Sequence, residues 1–284
     1  MFNQITIVGM GLIGGSVGMA CRQRGLATRV VAVVRRATAV EEVLSRNAAD
    51  EVFLDISQGV SSADLVVMAA PVESIPVLAK QARDSLDPRS IVTDVGSVKR
   101  SIVARMERLL KSRCHFVGAH PMAGSEKSGI AIASPSLFEG ATCIITPTKS
   151  SNRAAVWKVA KFWEALGCRV VYLDPRQHDV SVALVSHLPH VAASCIVNAL
   201  ARSSDAPLAT MSLAGQGFKD TTRIASGSPD LWAGICMENR DAILRSLKSL
   251  SGEIAAFADL LEKRDREGLR AFLQKAKELK DRSN

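Results

Sequence analysis

Short apolar runs rich in β-branched residues alternate with helical patterns along the first two thirds of this 284-residue chain. A helix between two such runs carries the chain back across the sheet, so that successive strands lie parallel and both faces become covered. The alternation therefore predicts an α/β fold with a doubly wound parallel sheet. The predicted strands are Gln4–Val8, Arg29–Val34, Asp64–Ala69, Ser90–Asp94, His115–Ala119, Thr142–Thr146 and Arg169–Leu173, and the predicted helices are Leu12–Arg24, Ala39–Ser45, Ser74–Ser85, Val98–Leu110 and Arg153–Leu166.

The pattern changes near Tyr172, after which no further strand run occurs. The rest of the chain carries apolar residues at helical spacing. We therefore predict two domains, an α/β domain over residues 1–173 and an all-helical domain over residues 174–284. The predicted helices of the second domain are Pro175–Arg202, Leu208–Gly217 and Asp230–Glu262.

The segment from Val182 to Leu200 is apolar on nearly all sides of a helix. Such a helix must be covered all round. In a helical domain of this size, cover from a second copy of the chain predicts a homodimer. The alternative is a monomer in which this helix lies at the centre of its own bundle. A membrane span is not predicted, because His187, Pro189 and other non-aliphatic residues interrupt the apolar run.

The composition is that of a globular protein, with 47% hydrophobic and 23% charged residues. The formal charge of +8 comes from scattered Lys and Arg residues, which favours anionic small molecules over nucleic acid as binding partners. No secretory signal precedes the first predicted strand, so we expect a cytoplasmic protein. Its cysteines lack metal-ligand spacing and are predicted to be reduced core residues: Cys21, Cys114, Cys143, Cys168, Cys195 and Cys236.

A glycine-rich turn with the pattern G-x-G-x-x-G, Gly9–Gly14, directly follows the first predicted strand. The first glycine allows a tight turn, the second lets the backbone approach a pyrophosphate, and the third lets the next helix pack closely against the strand. The pyrophosphate then lies at a helix N-terminus, which favours an anion. The motif therefore predicts a Rossmann-type dinucleotide-binding domain over residues 1–173, with contacts from Gly9, Gly11, Leu12, Ile13, Gly14 and, after a neighbouring strand, Ala70.

The end of the second predicted strand bears on the choice between NAD and NADP. An NAD site usually places an acidic residue there, about 20 residues after the glycines, to bind the ribose hydroxyls. Val34 occupies this place, and Arg35 and Arg36 follow it. Two guanidinium groups suit a 2′-phosphate through charge-assisted bonds, which favours NADP. In the alternative the arginines are solvated loop residues and NAD binds.

Two polar segments follow later strands, at the sheet edge where ligands bind in such folds. Ser97 comes after the strand Ser90–Asp94, and His120 comes after the strand His115–Ala119. A histidine can accept a proton near neutral pH, and a serine hydroxyl can donate a hydrogen bond to a reacting hydroxyl or to the nicotinamide amide. We predict that both act in catalysis. A structural His120 that caps its loop is the alternative.

The helical domain carries further candidates. His187 and His190 lie three residues apart on one helix face. The sequence offers no obvious third ligand, so no metal is predicted. Arg223 lies in a connector rich in Gly, Ser and Thr, which suits a carboxylate clamp. A salt bridge from Arg223 to Asp220 or to another helix is the alternative.

Four segments in this order resemble the prephenate/arogenate dehydrogenase family, and the likeness spans essentially the whole chain. They are Asp94–Lys99, His120–Gly129, Ser186–His190 and Thr222–Ala225. The resemblance implies an NAD(P)-dependent oxidoreductase of tyrosine biosynthesis, with a Rossmann-type domain, a C-terminal all-helical dimerisation domain and an active site in the cleft between them. Its reaction would convert prephenate to 4-hydroxyphenylpyruvate, or act on arogenate, with hydride transfer to NADP or NAD.

The resemblance also implies roles for single residues. His120 is similar to the family's catalytic histidine, which takes the proton from the ring hydroxyl, and Ser97 to the serine that bonds both this hydroxyl and the imidazole. Arg223 matches the arginine that binds a substrate carboxylate. Family members with a histidine at the place of His190 tend to accept prephenate, which favours prephenate over arogenate. The residues matched to the substrate pocket are His190, Trp232, His187 and Ser125.

Two other hypotheses share the N-terminal motif. A β-hydroxyacid dehydrogenase or a pyrroline-carboxylate reductase would have the same two domains, and Lys99 or Lys219 would then be catalytic. A non-catalytic, NADPH-binding redox sensor is a hypothesis of another class. Turnover of prephenate would exclude both.

Overall fold

The computed structural model describes residues 2–203, 210 and 212–282. It contains two compact units, Met1–Asn239 and Arg240–Asn284. The first unit holds the sheet, the helices that surround it and the helices that follow as far as Asn239, and the second consists of two helices. The functional boundary between residues 173 and 174 stays a prediction.

Within the described residues, eight strands form one sheet in the order β3-β2-β1-β4-β5-β6-β7-β8. The order runs outward from β1 on both sides, which is the doubly wound arrangement and confirms the predicted fold class. One pair departs from the predicted direction, because β6 and β7 are antiparallel. The strands are β1 Phe2–Val8, β2 Ala27–Val33, β3 Glu51–Phe53, β4 Leu65–Met68, β5 Ile91–Asp94, β6 His115–Pro121, β7 Thr142–Thr146 and β8 Arg169–Tyr172.

The helices of the α/β part begin and end close to the predicted residues. The predicted helix Ser74–Ser85 ends in a 3-10 turn over Arg83–Ser85. A short additional helix, α3, follows the edge strand β3, and neither is long enough to produce a periodic pattern. The helices are α1 Leu12–Gln23, α2 Thr38–Ser45, α3 Ile56–Val60, α4 Ile75–Ala82, α5 Arg100–Leu110 and α6 Arg153–Ala165.

The later helices differ from the predictions in several places, and the helix Arg266–Asp281 was not predicted. The predicted helix Pro175–Arg202 contains a π-helical turn, Ala183–His187, and the predicted helix Asp230–Glu262 is interrupted at Asn239. The predicted helix Leu208–Gly217 lies partly outside the described residues; Thr210 is helical, residues 212–215 are not, and a separate helix begins at Gln216. The helices are α7 Pro175–Val182, α8 Leu188–Ser203, α9 Gln216–Thr222, α10 Pro229–Glu238, α11 Arg240–Glu262 and α12 Arg266–Asp281.

Helices cover both faces of the sheet. In β4, Val66 and Met68 pack into one apolar cluster with α4 and α5, whereas Leu65 and Val67 pack into a second cluster with α1 and α6. Strands covered on both faces appear as continuous apolar runs rather than alternating ones. This is why the central strands could be recognised from sequence.

Two cysteines contradict the prediction that all are core residues. Cys195 is exposed and Cys236 is only half-buried, whereas the other four are buried. The run Pro175–Arg202 is long and apolar enough for a membrane span by length and composition alone, and 28% of its most apolar stretch is buried in this chain. Leu184, Val185 and Ile196 leave large apolar side chains exposed along it.

Candidate active site

Four adjacent parallel strands bring the predicted cofactor and catalytic residues to one edge of the sheet. The strands β1, β4, β5 and β6 pair in parallel, so their carboxyl ends lie side by side. The glycine turn follows β1 and Ala70 follows β4, while Ser97 follows β5 and His120 lies near the end of β6. All of these residues belong to the first compact unit.

The glycine turn is shaped as a dinucleotide cradle. Gly9 has φ +97°, and a Cβ placed there would lie 2.4 Å from the carbonyl oxygen of Ala69. A Cβ at Gly14 would lie 1.9 Å from the carbonyl oxygen of Gly9, so only glycine lets α1 pack this closely. Around Gly11 no atom lies within 4 Å of such a Cβ. The turn is therefore tightly packed at Gly9 and Gly14 and open at Gly11, which fits the approach of a pyrophosphate to Gly11.

The predicted 2′-phosphate residues lie beyond the end of β2. Val34 is buried, and Arg35 and Arg36 are exposed. Among the described residues, neither guanidinium forms an ion pair with a carboxylate. Both positive charges are therefore available to an anionic ligand at this corner.

His120 belongs to a chain of three hydrogen-bonded side chains. Its Nδ1 lies 2.8 Å from Nε2 of His178, and Nδ1 of His178 lies 2.8 Å from Oδ1 of Asp179. All three side chains are buried. Sequence analysis missed His178 and Asp179 because they lie on α7, 58 residues beyond His120 in the case of His178, and meet it only in the folded chain.

These hydrogen bonds fix which ring nitrogen carries the proton. The Asp179 carboxylate only accepts, so His178 donates from Nδ1 and, when neutral, has its lone pair on Nε2. His120 must then donate from Nδ1, which leaves the lone pair on its own Nε2. The arrangement presents an oriented proton acceptor, as a carboxylate does for the histidine of a catalytic triad.

Burial keeps the two imidazoles neutral. It lowers the pKa of His120 well below its ordinary value, and the positive charge of Lys99, or of His178 or His187 when either is protonated, lowers it further. Burial also lowers the pKa of His178, although the hydrogen bond that His178 donates to Asp179 opposes this shift. The contact between His178 and Asp179 is therefore a hydrogen bond from a neutral ring rather than an ion pair. A neutral His120 can accept a proton at neutral pH.

The Asp179 carboxylate also holds the start of α5. Its Oδ1 accepts a hydrogen bond from the N–H of Lys99 at 2.7 Å, and its Oδ2 accepts one from the N–H of Arg100 at 3.0 Å. Unpaired N–H groups and the helix dipole favour a negative charge at this end of a helix. Asp179 thus joins α7 to α5 and is held in place for His178.

A buried ion pair lies next to the loop that carries Ser97. Nζ of Lys99 bonds Oδ2 of Asp94, and both side chains are fully buried. Asp94 also accepts hydrogen bonds from the N–H groups of Gly96 at 2.9 Å and Ala119 at 3.2 Å. The pair ties the Ser97 loop to the residue before the catalytic candidate. A lysine committed in this way is unsuited to the catalytic role that the rival dehydrogenase hypothesis requires.

Arg223 pairs with a residue from the loop after β6. Its Nη1 lies 2.7 Å from Oε2 of Glu126, so the salt bridge has a different partner from Asp220. The Arg223 side chain is 61% exposed, and solvent screens the pair. Ser125 is exposed and its hydroxyl accepts the N–H of Lys127 at 3.2 Å. A substrate carboxylate would therefore compete with Glu126 for Arg223.

His190, Trp232 and His187 form one aromatic group. The rings of His190 and Trp232 stack with centroids 3.5 Å apart, and His187 meets Trp232 edge-on at 6.0 Å. Gly227 lies against them, since a Cβ there would be 2.7 Å from Nε1 of Trp232. Nδ1 of His190 and Nε2 of His187 are buried without a hydrogen-bond partner in the described part of the chain. The group thus holds unpaired polar atoms in an apolar wall.

The structure does not join all predicted residues by direct bonds. Among the described residues, no side-chain hydrogen bond links Ser97 or Ser125 to His120. No group of three or more His, Cys, Asp or Glu side chains suited to a metal ion is found in the part of the chain that the structure describes.

Two family models match the chain. The model of the prephenate dehydrogenase nucleotide-binding domain matches residues 17–172, and that of the prephenate dehydrogenase dimerization domain matches residues 174–275. A prephenate dehydrogenase of Bacillus subtilis is 33% identical over 282 residues, which is 99% of this chain and 76% of that protein.

Solved structures give the same result. A prephenate dehydrogenase from Aquifex aeolicus, in complex with hydroxyphenyl propionate and NAD+, matches with a TM-score of 0.94 and 30% identity, covering 100% of this chain and 99% of that one. An arogenate dehydrogenase from Synechocystis matches with a TM-score of 0.84 and 30% identity, covering 99% of this chain and 100% of that one.

Proposed function

Because the chain belongs to the prephenate dehydrogenase family, we propose that it converts prephenate to 4-hydroxyphenylpyruvate in tyrosine biosynthesis. The observation that carries the proposal is the oriented His120–His178–Asp179 chain, located at the sheet edge that also carries the glycine turn. Family membership makes the protein an NAD(P)-dependent dehydrogenase. It also argues against the β-hydroxyacid dehydrogenase and pyrroline-carboxylate reductase hypotheses.

In the proposed mechanism, Nε2 of His120 takes the proton from the ring hydroxyl of the substrate. The resulting imidazolium keeps its Nδ1–H bond to His178, and the Asp179 carboxylate stabilises the positive charge through that ring. When bound, the nicotinamide would accept the hydride from the ring carbon that carries this hydroxyl. The ring carboxylate leaves as CO2, the ring becomes aromatic, and the proton returns from His120 to the phenolic oxygen. Ser97 is proposed to bond the reacting hydroxyl.

The side-chain carboxylate of the substrate is retained in the product, and Arg223 is proposed to bind it through its positive charge. Arg223 is already close to an acidic side chain, Glu126, so a carboxylate can take the same geometry. His190, His187 and Trp232 are proposed to line the pocket around the substrate side chain, with Ser125 in the loop that carries Glu126. The presence of His190 favours prephenate, whose side chain carries a keto group, over arogenate, whose side chain carries an amine.

For the cofactor we propose NADP, with NAD as the alternative. Contacts from Gly9, Gly11, Leu12, Ile13 and Gly14 would hold the pyrophosphate, and Ala70 and Ser97 would lie along the cofactor. The available charges of Arg35 and Arg36 would bind the 2′-phosphate. The double variant Arg35→Ala/Arg36→Ala should lower kcat/KM for NADP about 10²–10⁴-fold, since it removes two charge-assisted bonds that contribute about 1.5–3 kcal/mol each. The value for NAD should stay unchanged, and equal losses for both cofactors would contradict the assignment.

The assembly is proposed to be a homodimer formed by the helices of residues 174–284. The match to a dimerization domain supports this, and so do the exposed apolar side chains of Leu184, Val185 and Ile196. The two family models also meet next to the boundary proposed between residues 173 and 174. We propose a cytoplasmic location, and the apolar helix Pro175–Arg202 as a subunit contact rather than a membrane span.

A spectrophotometric assay that crosses prephenate and arogenate with NAD and NADP tests the function directly. We expect the highest kcat/KM for prephenate with NADP. Faster turnover of arogenate would reassign the substrate within the family. Tight NADPH binding without turnover of either acid would instead support the redox-sensor hypothesis and refute the proposal.

A further inference from the structure

Asn239 directly follows α10, and its side-chain amide contacts two different parts of the candidate site. Nδ2 of Asn239 lies 2.8 Å from the main-chain carbonyl oxygen of Asp179 and 3.1 Å from Nδ1 of His187. Asn239 is 5% exposed and His187 is 1% exposed. One buried amide therefore connects the His120–His178–Asp179 chain with the aromatic group of His187, His190 and Trp232.

The geometry determines the proton position on His187. A carbonyl oxygen only accepts, so the amide nitrogen of Asn239, and not its oxygen, must face Asp179. The same nitrogen faces Nδ1 of His187, which must then accept as well. Burial lowers the pKa of His187 to about 4, so the ring is neutral at neutral pH. Its single proton is consequently on Nε2.

The resulting N–H group has no partner in the described part of the chain. Nε2 of His187 is buried without a hydrogen bond in a ring that meets Trp232 edge-on, and Nδ1 of His190, whose ring stacks on Trp232, is also unpaired. An unpaired buried donor is unfavourable in the folded state. A bond that forces the proton onto this nitrogen therefore points to a function in the site rather than to packing alone. The π-helical turn Ala183–His187, a form often found at functional sites, places the ring there.

We propose that Asn239 is a positioning residue that orients both the His120–His178–Asp179 chain and the His187 ring of the aromatic group. Its bond to the carbonyl of Asp179 holds this peptide and thereby the orientation of His178 and His120. Its bond to Nδ1 of His187 fixes this ring in the Nε2–H form, as a donor in the aromatic group. The proposal rests on the proposed function. It adds that the substrate side chain must offer a hydrogen-bond acceptor, such as a keto or carboxylate oxygen, to the Nε2–H group of His187.

The test uses two variants of the full-length protein. Asn239→Ala removes both bonds. Asn239→Asp replaces the donor by a carboxylate, which cannot bond the Asp179 carbonyl and draws the His187 proton to Nδ1. The other titratable groups that act on His187 are Asp179, His178 and His190, and they are unchanged in both variants. Imidazole 15N NMR spectra of the labelled protein should show His187 protonated on Nε2 in the wild type and on Nδ1 in Asn239→Asp.

Turnover provides the second readout. With prephenate, kcat should fall about 10–10²-fold in both Asn239 variants, because a small misplacement of a catalytic group has an effect of this order. Asn152→Ala is the matched control, since it removes an asparagine bond to the N–H of Ala155 at the start of α6. It should lower stability and leave kcat and the pH profile unchanged.

Two results would overturn the proposal. One is a wild-type His187 protonated on Nδ1, and the other is an Asn239→Ala protein with the kcat of Asn152→Ala. If the wild type turns over neither prephenate nor arogenate, the proposed function fails, whereas the NMR spectra still decide the proton position on His187.

Discussion

At the scale of residues, the proposed chemistry depends on the lone pair of one ring nitrogen, Nε2 of His120. His120→Asn should reduce kcat by about 10²–10⁴-fold, the usual contribution of a positioned general base, because asparagine cannot take up the proton. Arg223→Ala should mainly raise KM, since that side chain is proposed to bind the substrate without taking part in proton transfer. Steady-state kinetics with prephenate separate the two. Wild-type kcat in His120→Asn would remove this residue from the mechanism.

The lowered pKa of His120 has a consequence for the pH profile. Catalysis needs the neutral ring, and burial together with neighbouring charges lowers its pKa well below the ordinary value of about 6.5. The acid limb of kcat/KM should therefore lie below pH 6.5, with activity retained as the pH falls through that value. An acid limb at or above pH 6.5 would contradict a buried, neutral base.

Stability changes in the same pH range, and it has to be measured in parallel. The pKa values of His120, His178 and His187 are all lowered in the folded chain, so the unfolded chain binds more protons below pH 6.5. The free energy of unfolding should accordingly decrease as the pH falls from about 6.5 towards 4. Thermal unfolding curves at each pH show where loss of activity reflects proton uptake by an intact site.

The sequence revealed only those site residues whose neighbours in the chain form a motif. His120 and Ser97 stand at predicted strand ends, so topology alone predicts their common edge. His178, Asp179 and Asn239 lie within helical patterns and contact the site through tertiary folding. No local periodicity distinguishes such a polar residue from one on a solvated face.

At the scale of elements, different glycines of the turn are expected to serve helix packing and cofactor binding. Gly14→Ala places a methyl group 1.9 Å from the carbonyl oxygen of Gly9 and should destabilise the fold by about 1–3 kcal/mol, as overpacking does. Gly11→Ala meets no atom within 4 Å and should leave the Tm unchanged. It should nevertheless weaken dinucleotide binding about tenfold, because the methyl group occupies the space of the pyrophosphate. Thermal unfolding and cofactor titration of both variants check this, and an unchanged affinity in Gly11→Ala would contradict the cradle.

Elements were predictable where burial produces a pattern and unpredictable where it does not. The central strands are covered on both faces and appear as apolar runs, whereas the edge strand β3 has three residues and, in the part of the chain that the structure describes, pairs only with β2. The antiparallel direction of β7 is set by the path of the chain after β6, which apolar spacing does not encode. The break at Asn239 interrupts a continuous helical pattern, and the side chain at this break bonds Asp179 and His187.

At the scale of the whole molecule, the exposed apolar side chains of the Pro175–Arg202 run form the proposed subunit contact. Val185 is 70% exposed and Ile196 41%, and Ile196 comes eleven positions after Val185, about three helical turns, so both lie on a similar side. A second copy of the chain would remove this face from water and stabilise the dimer by apolar burial. The same contact would explain why a run that meets the composition of a membrane span can belong to a globular protein.

The double variant Val185→Glu/Ile196→Glu should dissociate this dimer. Each carboxylate would lose hydration at the contact without a partner, so the dimer Kd should rise by at least about 10²-fold, which corresponds to about 2.7 kcal/mol. Val77→Glu is the matched control, because Val77 is 57% exposed on α4 in the α/β part of the chain. Sedimentation velocity over a range of concentrations should show a dimer for the wild type and for Val77→Glu, and a monomer for the double variant. A wild type that is monomeric throughout, or a double variant that still dimerises, would show that this face is not the subunit contact.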